Sequence, residues 1–149
     1  MSVQEAPARG PQSSVELYQQ VQQFYARQMQ LLDSGEVDAW AHTFTEDGVF
    51  ATNAQPEPTV GRQAMAAGAR NAVEYYTAQG IQRRHMLGTV SVTGQEGTTV
   101  TVRSYVLLIE TPRGGQATIL CSATCEDVLE LGPDGPAVRQ RDVSRDDLV

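Results

Sequence analysis

The stretch "RRHMLGTVSVTG", residues 83–94, marks the point at which the chain changes its hydrophobic period from 3.6 to 2. Three more segments with the same alternation follow: "TTVTVRSYVLLIETP" (98–112), "QATILCSATCEDVLELG" (116–132) and "PAVRQRDVSRDDL" (136–148). The connections "GQEG", "PRGG" and "GPDG" carry the glycine, proline and aspartate that tight hairpins favour. Four strands joined by short turns predict a long antiparallel meander.

Working back toward the N-terminus, the period is helical. "SSVELYQQVQQFYARQMQLLDSGE" (13–36) opens with Ser13 and Glu16 spaced as a capping box. Leu17, Val21, Phe24, Tyr25 and Leu32 then form an apolar stripe that contains one polar member, Gln28, which needs a partner if buried. Gly35 is placed to end this helix. "EVDAWAHTF" (36–44) reads as a short second helix, "EDGVFATN" as a turn and short strand, and "AQPEPTVG" as a loop. The Ala-rich "RQAMAAGARNAVEYYTAQ" (62–79) makes a third helix that Gly80 can stop. Helices segregated from strands define an α+β fold. A sheet of this size must hide one face, and it does so if it curls around the three helices into a cone with a cavity at its mouth. "TTVTVRSYVLLIE" is apolar on both faces near its end, which predicts a homodimer through the sheet. Residues 1–12 carry no periodicity and read as a mobile N-terminal tail; residues 13–149 read as one domain.

Composition narrows the function classes. The chain has 149 residues, 40% hydrophobic and 19% charged, with a net charge of −7 and a pI near 4.7. That balance argues against nucleic acid or an anionic membrane as partner. No apolar run reaches the roughly 20 residues that span a bilayer, and no signal-peptide layout opens the chain, so a cytoplasmic location is expected. Cys121 and Cys125 lie in one predicted strand, about 13 Å apart at extended-chain spacing. That exceeds the ~7 Å limit for a disulfide, so two reduced, buried thiols are expected. There is no phosphate-binding glycine loop and no set of two histidines plus a carboxylate, so no cofactor or metal is expected. Trp40, Phe44, Phe50, Met65, Tyr76, Met86 and Leu120 read as core, some of them doubling as apolar cavity walls. His42, one residue off its helix's apolar stripe, reads as surface.

The pieces "LLDSGEVDAWAHTFTEDGVF", "VGRQAM" and "RRHMLGTVSV", in this order and spacing, resemble the SnoaL-like branch of the nuclear transport factor 2-like superfamily over residues 14–147. The resemblance implies a cone-shaped α+β barrel, three N-terminal helices packed on a curved antiparallel sheet, and a family that includes polyketide cyclases, scytalone dehydratase and ketosteroid isomerase. A steroid-isomerase mechanism fails, because Thr52 and Gln28 stand where that enzyme type has its carboxylate base and oxyanion tyrosine, and a threonine is no useful base near neutral pH. Against scytalone dehydratase, Asp33 and His85 match the helix-end aspartate and the first catalytic histidine. Tyr105 replaces the second histidine, and Ser122 and Thr124 stand at pocket serine and asparagine positions.

The implied catalytic set is therefore His85, Asp33 and Tyr105. Tyr25, Gln28, Arg103, Ser122 and Thr124 would bind substrate oxygens, and Trp40, Phe50, Met65, Tyr76 and Leu120 would form the walls. Arg103 has a second reading as one half of a rim ion pair. The expected activity is cofactor-free cyclisation, dehydration or isomerisation of a hydrophobic polyketide-type intermediate. Two alternatives stand beside it: a cyclase that works mainly by holding its substrate in a reactive shape, and a non-catalytic binding or accessory subunit of the dioxygenase small-subunit kind.

Overall fold

The computed structural model describes residues 13–148; the N-terminal tail expected over 1–12 lies outside the described residues. Helix α1 spans Ser14–Asp33, α2 Val37–Ala41 and α3 Arg62–Ala78, with strands β1 Phe44–Thr52 and β2 Thr59–Val60 between α2 and α3. Four strands follow: β3 Ile81–Glu96, β4 Thr99–Pro112, β5 Thr118–Gly132 and β6 Gly135–Arg145. The Ser13 side chain caps α1 by accepting from the Glu16 amide at 3.1 Å. At the other end Ser34 is the C-cap, and Gly35 takes the left-handed conformation one residue later, φ 78°. Leu17, Val21, Tyr25, Gln28 and Met29 form the buried face of this helix. The first β-hairpin turns at Gly97–Thr98 rather than over all of "GQEG", since β3 continues through Glu96.

All six strands form one sheet in the order β2-β1-β6-β5-β4-β3. The meander from β3 to β6 is antiparallel as expected, but β1 pairs with β6 in parallel. This pairing joins the two ends of the chain's strand sequence, so no hairpin signal announces it. Gly48 sits at the irregularity in that ladder, where a Cβ would meet the Val138 carbonyl oxygen at 3.2 Å and Phe44 Cβ at 3.2 Å. The cone is a curled open sheet rather than a closed barrel: α3 touches both β1 and β3, and α1 touches β3 and β6, so the distant strands wrap toward the same helices.

The core fills the narrow end of the cone with Val21, Tyr25, Phe44, Val100, Leu129 and Val138, each 2% exposed or less. Helix α3 is different. Met65 is its one buried residue, and Ala64, Gly68, Ala69, Ala72 and Val73 border open space instead of packing solid. A helix faced with small side chains roofs a cavity because it has too little volume to fill it.

Two bulges set which side chains enter the cone. In β3 the inward residues are Ile81, Arg83, His85 and Leu87, but after the shift at Gly88–Thr89 they are Val90 and Val92. Thr89 takes φ 50° there. In β6, Val138 is fully buried, and an irregularity between Val138 and Gln140 turns Arg141 inward in place of Gln140.

Candidate active site

One cavity of about 600 Å³ opens between α3, the end of α1 and the concave face of the sheet. His85 and Asp33 meet on its wall. Asp33 is the last residue of α1, and Gly35 turns the chain away just beyond it, leaving the carboxylate against β3. Its Oδ2 and Oδ1 accept the His85 backbone N–H at 3.1 and 3.3 Å, and Oδ1 lies 2.6 Å from the His85 ring Nδ1. A carboxylate can only accept, so Nδ1 carries the proton and Nε2 is the nitrogen left for a substrate. The imidazole side chain is 21% exposed against 7% for the carboxylate, so the ring is reachable while its orienting partner is shielded.

Trp40, Phe50, Met65, Tyr76 and Leu120 all border the same cavity, and Tyr76 carries the Arg83 guanidinium 4.1 Å above its ring. Both cysteines are free thiols on the inward side of β5, but of the two expected to be buried only Cys125 is, Cys121 being half-buried at the cavity wall. Burial pushes the Cys125 thiol up to about 12, so it is un-ionised at neutral pH.

Beneath the cavity lies a buried polar network that takes in Tyr25 and Gln28, expected from the sequence to bind substrate oxygens, together with Asp127 and Arg141, which sequence reasoning did not single out. Arg141 donates from Nε to Asp127 Oδ1 at 2.9 Å and from Nη2 to Asp127 Oδ2 at 2.7 Å, a two-pronged pair with both side chains 4% exposed or less. Tyr25 Oη donates to Asp127 Oδ2 at 2.7 Å, and Gln28 accepts from Arg141 Nη2 at 2.8 Å while donating to Thr43 at 2.7 Å. Tyr25 and Gln28 therefore support the floor instead of facing substrate. Burial and the adjacent Asp127 both push the Tyr25 phenol up, so it stays protonated. Burial acts to lower the Arg141 pKa, but Asp127 more than compensates, and the guanidinium stays charged.

Four further expected residues stand on the other side of the sheet. In β4 the inward positions are Val102, Ser104, Val106 and Leu108, which sends Arg103, Tyr105 and Leu107 outward. Tyr105 is half exposed and pairs across the ladder with Thr124, so it cannot act beside His85. Arg103 makes an exposed ion pair with Glu126 at 2.7 Å, its second reading. Ser122 donates to Asp146 at 2.8 Å, and with Thr124 it borders a separate depression of about 590 Å³ on the outer face. Met86, expected in the core, is 57% exposed on that face. His42 is exposed, as expected. Among the described residues, no group of three or more His, Cys, Asp or Glu side chains is placed to hold a metal ion, and no helix is long and apolar enough to cross a membrane.

A helix-roofed, curled-sheet cone with one apolar cavity and a histidine–carboxylate pair in its wall defines an α+β pocket protein of the nuclear transport factor 2-like kind. The chain belongs to the SnoaL-like family, whose domain matches residues 13–142. Among solved structures, it is similar to Aln2 from a Streptomyces species, with 31% identity over 91% of this chain and 95% of that one, TM-score 0.83. A protein from Catenulispora acidiphila, solved in complex with S-DNPA, shares 36% identity over 90% of this chain and 96% of its own, TM-score 0.76. ActVI-ORFA from Streptomyces coelicolor shares 30% identity over 89% and 96%, TM-score 0.80. A comparison with curated proteins gave no match.

Proposed function

We propose that the protein is a cyclase, dehydratase or isomerase that acts on a hydrophobic, oxygen-bearing polyketide-type intermediate, using its own side chains as acid and base. The 2.6 Å contact between His85 Nδ1 and Asp33, on the wall of a cavity large enough for such a molecule, carries this reading. His85 Nε2 removes a proton from a carbon or hydroxyl activated by a neighbouring carbonyl. Asp33 stabilises the imidazolium that results, and the same nitrogen returns the proton to the departing or newly formed oxygen. Positioned proton transfer of this kind contributes about 10²- to 10⁴-fold in rate. Family membership and the Catenulispora relative's complex with S-DNPA support a small-molecule role.

The test is product formation by the protein and by Asp33→Asn. Asparagine can present its N–H to the ring and stabilise the wrong tautomer, so turnover is expected to fall about 10²-fold or more with circular dichroism unchanged. Unchanged turnover would remove Asp33 from the mechanism. The cavity's apolar walls and single acid–base pair also favour a second reading, in which the protein mainly holds a flexible substrate in a reactive shape.

The outer sheet face suits a second copy of this chain. Met86, Tyr105 and Leu107 are 57%, 50% and 37% exposed, and the neighbouring Arg103 and Glu126 supply both signs of charge for a self-complementary contact. Sedimentation velocity is expected to show a dimer that Tyr105→Glu with Leu107→Glu converts to a folded monomer. A monomeric parent protein would refute the pairing.

A further inference from the structure

The floor of the cavity holds a donor that the acid–base reading does not use. Arg141 borders the cavity and has its Nε and Nη2 consumed by Asp127 and Gln28, as described above. Its third nitrogen, Nη1, makes no hydrogen bond to any described residue, and among the described residues it is not one of the fully sealed polar atoms that lack a hydrogen bond. Nη1 therefore keeps a small open surface although the residue as a whole is 3% exposed. The guanidinium cannot swing to find another partner. Asp127 grips it on two nitrogens, Gln28 holds one of these from the side, and the rings of Tyr25 and Phe44 flank its carbon at 5.7 and 5.6 Å. A donor fixed this way requires no reorganisation when a ligand arrives.

We infer that Arg141 Nη1 is a substrate-positioning donor that takes a neutral oxygen, a ketone or phenol, at the end of the substrate distant from His85. The inference rests on the small-molecule reading of the cavity and adds to it the chemistry of the substrate's second pole. The two groups stand on strands separated by β4 and β5, so a ligand touching both must bridge the curled sheet. Charge selects the class of oxygen. The Arg141–Asp127 pair is already neutral, and a substrate carboxylate would add an uncompensated buried anion, which low-dielectric surroundings penalise heavily. A carbonyl or hydroxyl oxygen accepts the hydrogen bond without changing the net charge.

The probes are 1-tetralone, tetralin and 1-naphthoate, which share a bicyclic body and differ in oxygen: one carbonyl, none, one carboxylate. The readouts are calorimetric affinity, the carbonyl stretching frequency of bound tetralone, and arginine guanidinium NMR of the ¹⁵N-labelled protein. Tetralone is expected to bind about tenfold tighter than tetralin, as one charge-assisted hydrogen bond allows, and tighter than naphthoate. Its stretch is expected to fall on binding, equally in His85→Ala, and one slowly exchanging guanidinium is expected to shift with tetralone and not with tetralin. Arg141→Lys retains a cation for Asp127 but lacks Nη1, and it should cancel the tenfold preference. If that variant fails to fold, the guanidinium shift in the unaltered protein decides.

Equal binding of tetralone and tetralin, preference for naphthoate, or an unmoved guanidinium would overturn the inference. Loss of the carbonyl shift in His85→Ala would reassign the contact to His85. Loss of turnover in His85→Ala with the carbonyl shift intact would uphold both readings, whereas retained turnover with the shift intact would uphold Arg141 alone.

Discussion

Replacing Asp127 by alanine is expected to destabilise the fold by about 3–5 kcal/mol, because it leaves the Arg141 charge buried without its counterion. The same substitution strips the Tyr25 hydroxyl and the Cys125 thiol of their acceptor, at 2.7 and 3.3 Å in the intact protein. Against a typical total of about 5–15 kcal/mol, this is a large fraction of the stability. For a chain of this length it corresponds to a fall in Tm of roughly 10 °C or more. The neighbouring residue supplies the control. Glu126 also pairs with an arginine at 2.7 Å, but the two side chains are 47% and 63% exposed, and Glu126→Ala should cost less than about 1 kcal/mol. Thermal denaturation of the two variants side by side checks the contrast. Equal losses would mean that the Asp127–Arg141 pair is not the desolvated anchor its burial indicates.

That contrast lies inside "CEDVLE", where nothing local separates the two acids, and it shows why the site was only partly legible. Helices, strands and the α+β order follow from periods of 3.6 and 2, and these survive any error of facing. Which face of a strand looks inward is a matter of parity. The β4 segment is apolar on both sides near "SYVLLIE", so parity there has no strong signal, and a slip of one residue sends Arg103 and Tyr105 to the wrong side. Ser122 and Thr124 then fail together, since they sit opposite Leu107 and Tyr105 in the ladder. Arg141 was missed for a different reason. Counting by two from Val138 makes Gln140 inward, and only the bulge between them reverses the order. An arginine near the chain end also reads as solvated unless its buried acid partner is known. His85 and Asp33 entered through the resemblance to scytalone dehydratase, since a strand histidine and a helix-end aspartate each have an ordinary local reading, and the structure brings the two into contact at 2.6 Å.

His85→Ala against Gly68→Leu separates chemistry from shape. Alanine at 85 removes the cavity's reachable ring nitrogen while leaving Asp33 able to accept the backbone N–H of residue 85 at 3.1 Å, so the anchor between α1 and β3 survives in part. If proton transfer by the ring drives turnover, kcat is expected to fall about 10²- to 10⁴-fold with substrate affinity little changed. Gly68 borders the cavity from α3, and a Cβ built there meets nothing within 4 Å. Leucine at that position therefore projects into free space. It should also stabilise the helix by some tenths of a kcal/mol, because glycine is among the poorest helix formers. Its effect on function is then steric, occupying volume that the substrate needs. Should the protein act by templating, Gly68→Leu abolishes product formation while His85→Ala costs only a few-fold, since holding reacting atoms together can supply several kcal/mol without any proton transfer. Should it act by acid–base chemistry, both variants lose turnover, but Gly68→Leu does so through a raised KM and His85→Ala through kcat. Full activity in His85→Ala would remove the imidazole from the mechanism, and full activity in Gly68→Leu would show that substrate does not occupy the space beneath α3.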